Sequence, residues 1–127
     1  MIAVDTSALM AIVLNESPAA HFAALLEAEV DLLISAGTLS EALIVADRRN
    51  VGEEMTRLID GLGFTVVSLT AASAKRIAQA YAAWGKGVHP AGLNLGDCFA
   101  YVVAKDHGCS LLYVGEDFAL TDVERAD

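Results

Sequence analysis

Four short apolar runs punctuate the chain, at Met1–Val4, Asp31–Ser35, Phe64–Leu69 and Ser110–Val114, and the stretches between them carry helical periodicity. Such runs have the length of strands, and strands that alternate with helices build a mostly parallel sheet covered on both faces. The expected fold class is therefore α/β, a three-layer α/β/α sandwich around a mostly parallel central sheet. The chain has 127 residues, enough for a single domain over 1–127 and too few for two. No internal repeat or low-complexity segment divides it, and Pro18 and Pro90 sit beside turn-like residues, not in a linker.

Between the runs, Ser7–Asn15 is apolar enough for a buried helix, stopped by Asn-Glu-Ser-Pro. Phe22, Leu25 and Leu26 recur at helical spacing in a second helix over 18–29, with Pro18 suited to its first turn. Thr38 begins a third helix, and Gly52 a fourth in which Met55, Leu58, Ile59 and Leu62 share one face. Thr70 caps an alanine-rich helix running to Trp84, residues 85–92 form a loop, and Asn94 opens a last helix that stops at Gly108.

Hydrophobic residues make up 55% of the chain and charged ones 20%, which suits a packed core and excludes a disordered tail. The longest uncharged run, 61–74, has 14 residues, short of the roughly 18 a spanning helix needs. Asp5 follows the opening apolar residues with no basic segment before them, unlike a signal peptide, so a cytoplasmic location is expected. Cys98 and Cys109 have no His or Cys cluster around them and read as reduced, largely buried thiols.

The formal net charge is −9, which by itself repels polyanions. Four of the acidic residues occupy informative positions. Asp5 follows the first apolar run and Asp117 the last, while Glu41 and Asp97 lie near the starts of two helices. In parallel sheets the ligand crevice lies beyond the carboxyl ends of the strands, where the following helices also begin. All four are thus expected on one rim, where they repel one another unless protonated or bound to cations. Oxygen donors without Cys or His favour magnesium or manganese over zinc or copper, and one or two such ions suit phosphodiester cleavage. Each residue also has an ordinary structural employment. Asp5 can cap the next helix, Thr38-Leu39-Ser40-Glu41 fits a capping box, Asp97 suits a helix first turn, and Asp117 beside Glu116 suits a solvated turn.

The segments IAVDTSAL, TLSEAL (38–43), LNLGDCFAYVVAK (93–105) and LLYVGEDFALTDV (111–123), in this order, closely resemble the PIN-domain ribonucleases, specifically the VapC-type toxins of bacterial toxin–antitoxin pairs. The resemblance spans essentially the whole chain. It implies a PIN-like sandwich, endonucleolytic cleavage of RNA, and Asp5, Glu41, Asp97 and Asp117 as catalytic carboxylates binding Mg2+ or Mn2+. It further implies hydroxyl support from Thr6 or Ser7, a VapB-type antitoxin partner and a homodimer. Asn94 and Gly96 match the lead-in to the third carboxylate; Glu116 is a candidate accessory. Thr121 and Asp122 fit the closing stretch, Thr121 as hydrogen-bonding support and Asp122 as an accessory near the rim.

Arg48 and Arg49, one to two turns past Glu41, and Lys86, in the loop before Asp97, are candidate RNA contacts, with solvated surface charge as the alternative. His21, His89 and His107 pair with no Cys or Ser in a nucleophilic pattern, and His107 suits a helix C-terminus. Two other readings compete. A receiver- or phosphatase-like domain would want a D-x-D-x-T motif after the first strand and a lysine after the last, and neither is present. A non-catalytic PIN-like interaction module has no need of all four carboxylates.

Overall fold

The computed structural model describes all residues from Met1 to Asp127. Four strands, β1 (Ile2–Val4), β2 (Leu32–Ser35), β3 (Thr65–Val67) and β4 (Ser110–Leu112), form one sheet in the order β3-β2-β1-β4. Every pairing is parallel. The chain's first strand is therefore central and lies against its last. Residues 124–126 add a single parallel bridge outside β4, with Leu111 N–H donating to the Glu124 carbonyl at 2.8 Å and Ala126 N–H to the Leu111 carbonyl at 2.9 Å.

The strand alternation sorts the core onto two faces. Ala3, Leu33 and Leu111 pack with α5 (Ala71–Trp84) and α6 (Leu95–Asp106) through Ile77, Cys98 and Val102, together with Leu93 from the segment between the two helices. Ile2, Val4, Leu32, Ile34 and Leu112 face the other way, against α1 (Thr6–Val13), α2 (Ala19–Ala28), α3 (Ala36–Arg48) and α4 (Gly52–Leu62) through Leu9, Phe22, Leu26, Ala42 and Met55. This is the expected α/β/α sandwich, with a sheet that is wholly parallel. No helix is long and apolar enough to cross a membrane.

Most boundaries shift by a residue or two from the sequence expectation; one shift matters. The helix expected to begin at Thr38 begins at Ala36, because Ser35, the last residue of β2, caps it by accepting from Gly37 N–H at 3.1 Å. Thr38 lies inside the helix, fully buried, and the capping box that would have employed Glu41 does not form. Pro18 stands at the N-cap of α2 instead of in its first turn. The Thr70 cap of α5 is present and reciprocated by Ser73. His107 closes α6, its Nδ1 2.9 Å from the Val103 carbonyl, and Gly108 follows with φ of 63°, a left-handed conformation that glycine adopts at low cost. Both cysteines are free; Cys98 is buried and Cys109 half-buried.

Candidate active site

The carboxyl ends of β1 and β4 lie side by side. Asp5 N–H donates to the Leu112 carbonyl at 3.0 Å, which carries the central strand one residue past its formal end and delivers the Asp5 side chain to the rim. Asp5 caps α1, as its ordinary reading allowed, and does so with only one oxygen. Its Oδ2 accepts from Ser7 N–H at 3.0 Å and from the Ser7 hydroxyl at 2.6 Å. Its Oδ1 is buried and has no hydrogen-bond partner. Ser7 Oγ also accepts from Val114 N–H at 3.0 Å, so this one hydroxyl joins the start of α1 to the end of β4.

Glu41, a turn and a half into α3, is held from across the rim. Thr6 donates its hydroxyl to Glu41 Oε1 at 2.6 Å. Gly96, in the first turn of α6, passes so close to the same carboxylate that a Cβ there would stand 2.1 Å from Glu41 Oε2. A side chain at position 96 would therefore displace the Glu41 carboxylate from this place. Asp97, the next residue, forms a capping box with Asn94: its Oδ2 accepts from Asn94 N–H at 3.0 Å while Asn94 Oδ1 accepts from Asp97 N–H at 2.9 Å. Asp117 is exposed at the head of a short 3-10 turn, Phe118–Leu120, and its carboxylate caps nothing.

The electrostatics tie the four together. Burial pushes the Asp5 carboxyl up from 3.8 to about 6 against the lowering effect of its Ser7 bonds, and the charges of Asp97 and Glu41 push in the same direction. Asp97 is also raised, first by burial and then by Asp117 and Glu41, with its Asn94 bond opposing. A buried carboxylate with an unpartnered oxygen, beside further carboxylates, is costly in the absence of a cation. The donor set is all oxygen, which fits a hard divalent ion. As they stand, no three acidic, His or Cys side chains are grouped closely enough to hold an ion.

The remaining candidates separate into near and far. Asn94 orients Asp97, and Glu116 is exposed beside Asp117 with no side-chain partner. Thr121 and Asp122 are engaged away from the carboxylates. The Thr121 hydroxyl donates to the Phe118 carbonyl at 2.7 Å, and Asp122 is bound to Tyr101 and Lys105, one and two turns along α6 from Asp97. Arg48 and Arg49 end α3 on the opposite side of the sheet from the rim, because α3 starts at the rim and runs away from it. Lys86 borders an open apolar hollow of about 760 Å³ lined by Leu69, Ile77, Tyr81, Leu95 and Phe99. Missing from the sequence reading were the Ser7–Val114 link, the steric role of Gly96 and the part of Tyr101. A glycine directly before a candidate ligand was the one available signal.

A family model for the PIN domain matches residues 2–124. A ribonuclease VapC30 of Mycobacterium tuberculosis is 40% identical over 123 residues, covering 94% of each chain. The chain therefore belongs to the PIN-domain family and, within it, to the VapC proteins. Solved structures agree on the fold. That of M. tuberculosis VapC20, described as a sarcin–ricin-loop-cleaving toxin, superposes with a TM-score of 0.80 over 99% of this chain and 98% of that one, at 15% identity. A toxin–antitoxin complex from Klebsiella pneumoniae superposes at 0.70 over 94% and 91%, at 21% identity.

Proposed function

We propose that this chain is a metal-dependent endoribonuclease, a hydrolase of RNA phosphodiester bonds, that acts as the toxin of a toxin–antitoxin pair. The observation that carries the reading is the orphaned Oδ1 of Asp5, buried at the rim where Glu41, Asp97 and Asp117 add their charge. Asp5, Glu41, Asp97 and Asp117 would hold Mg2+ or Mn2+. When bound, such an ion lowers the pKa of a water and offsets charge on the phosphate under attack.

The chain's own residues then have distinct tasks. Ser7 occupies one oxygen of Asp5 and leaves the other for a cation. Thr6 turns Glu41 toward the rim, and the Asn94 amide fixes the rotamer of Asp97. Substrate grip is expected to come mainly from the metal site, since the chain is strongly acidic and Arg48 and Arg49 sit away from it. The VapC name of the curated relative and the toxin–antitoxin assembly of the Klebsiella neighbour support a VapB-type antitoxin as partner. The apolar hollow around Leu69, Tyr81 and Leu95, whose lining contains no carboxylate, supports a homodimer.

Purified protein is expected to cut structured RNA in Mg2+ or Mn2+ and to stop on addition of a chelator. Robust cutting in excess chelator would refute the metal mechanism.

A further inference from the structure

Asp97, Tyr101 and Lys105 recur every four residues on α6 and so share one face of that helix. The segment 117–122 runs along this face. At its start Asp117 adds its charge to that of Asp97 on the rim. At its end Asp122 divides its carboxylate between two partners, Oδ1 accepting from the Tyr101 hydroxyl at 2.6 Å and Oδ2 pairing with Lys105 Nζ at 3.2 Å. The Tyr101 hydroxyl also accepts from Trp84 Nε1 at 2.9 Å, so both its donor and its acceptor directions are committed. Burial and the bond to Asp122 push the Tyr101 hydroxyl up to about 12, keeping it a donor throughout the physiological range.

Between these two ends the chain has little freedom. Phe118 is buried against Tyr113, with ring centroids 5.1 Å apart, and Thr121 bonds back to the Phe118 carbonyl and accepts from Val123 N–H at 3.3 Å. The Asp117 carboxylate makes no hydrogen bond of its own. Its position is inherited from what anchors the turn on either side.

We infer that Asp122 is a positioning residue: clamped to Tyr101 and Lys105, it sets where Asp117 stands relative to Asp97, and hence how readily the two carboxylates share a divalent cation. This rests on the reading of the four carboxylates as a metal site. Of the two attachments the Tyr101 bond dominates, being short and charge-assisted, whereas the Lys105 pair is solvent-exposed and screened. A purely stabilising contact would affect unfolding without changing the metal requirement; a positioning contact changes the metal requirement in the folded protein.

The experiment titrates Mg2+ into the full chain and reads both RNA cleavage and the emission of Trp84, the sole tryptophan. Tyr101→Phe is expected to raise the Mg2+ concentration for half-maximal cleavage about tenfold, in the range of outer-shell partners of metal ligands, with the rate at saturating Mg2+ nearly retained. Asp122→Asn keeps an acceptor for Tyr101 and loses the ion pair, and a smaller shift of about threefold is expected. Mg2+ should alter Trp84 emission in the parent protein and fail to do so in Tyr101→Phe. Arg76→Gln, which removes the 2.7 Å Arg76–Asp106 pair at the far end of the same helix, serves as the control. It should lower the melting temperature and leave the Mg2+ midpoint unchanged.

A Tyr101→Phe midpoint equal to that of the parent, or one matched by Arg76→Gln, would overturn the inference while leaving the metal site intact. A parent protein that neither binds Mg2+ nor cuts RNA would overturn the metal-site reading itself, and this inference with it.

Discussion

Glu41 and Asp97 each stand three residues after a side chain able to cap a helix, Thr38 in one case and Asn94 in the other, and the two helix starts use that pattern in opposite ways. At α6 the box closes: Asn94 and Asp97 satisfy each other's backbone amides, and the orientation of Asp97 is set locally, by its own helix. At α3 the cap has moved up to Ser35, Thr38 is buried, and Glu41 takes its hydrogen bond from Thr6, 35 residues earlier in the chain. One carboxylate is positioned by local sequence and the other by tertiary packing. The lesson is that a capping motif gives the chemistry available at a position and leaves the helix start open when another hydroxyl lies upstream.

The largest expected effect falls on the locally held residue. Asp97→Asn keeps an acceptor for the Asn94 amide, so the fold should survive. RNA cleavage should drop by more than the roughly 10–100-fold typical of an outer-shell partner, as measured by initial rates in Mg2+. Near-normal cutting would remove Asp97 from the site.

Gly96→Ala attacks the contact between the two helices. The added methyl would meet Glu41 Oε2 at 2.1 Å and force that carboxylate away from Thr6. Since the obstructing group is a side-chain tip, unfolding free energy should fall by only about 1 kcal/mol, while cleavage falls tenfold or more, comparable to losing an outer-shell partner. A parallel loss of both would mean that Gly96 serves packing alone.

The Asp5 carboxyl adds a pH dependence. Because burial raises it to about 6 from 3.8, its contribution is complete below about pH 4 and is lost as pH rises through 6. The shift corresponds to about 3 kcal/mol. Thermal unfolding without metal should show the protein less stable at pH 7 than at pH 5, with Mg2+ recovering stability at pH 7. Asp5→Asn should flatten this difference, and a profile unaffected by that change would assign the pH dependence elsewhere.

The finest test sets two threonines against each other. Thr6→Val removes the donor to Glu41 and should lower cleavage roughly tenfold. Thr38→Val replaces a buried hydroxyl that has no partner and should be neutral to slightly stabilising in chemical denaturation, with cleavage unchanged. Equal effects on cleavage would erase the distinction between the two helix starts.

Much of the architecture could be read from periodicity because strand and helix signals are local. The apolar runs at 1–4, 31–35, 64–69 and 110–114 all became strands, trimmed at their ends, and the Asn94 and Thr70 caps stand where the residues predict them. The rim was legible in outline, since parallel topology sends strand ends and helix starts to one edge, where the charges of Glu41 and Asp97 act on Asp5 and those of Asp117 and Glu41 on Asp97. What could not be read depends on partners distant in sequence. Ser7 reaching Val114, Thr6 reaching Glu41 and Tyr101 reaching Asp122 span 107, 35 and 21 residues, and no local pattern marks them. Asp122 shows the limit well: the T-D motif suggested the rim, and only the packing of the segment on α6 showed its carboxylate committed elsewhere.

The pairing of β1 with β4 has a consequence for synthesis. Of the four strands the central β1 is made before the others and has no β4 to pair with until residues 110–112 are made, and Asp5 is seated by a bond to Leu112. A nascent or prematurely terminated chain thus lacks both Asp117 and the contact that brings Asp5 to the rim. The four carboxylates can therefore share one rim only after residue 117 has been made, through contacts of long sequence separation.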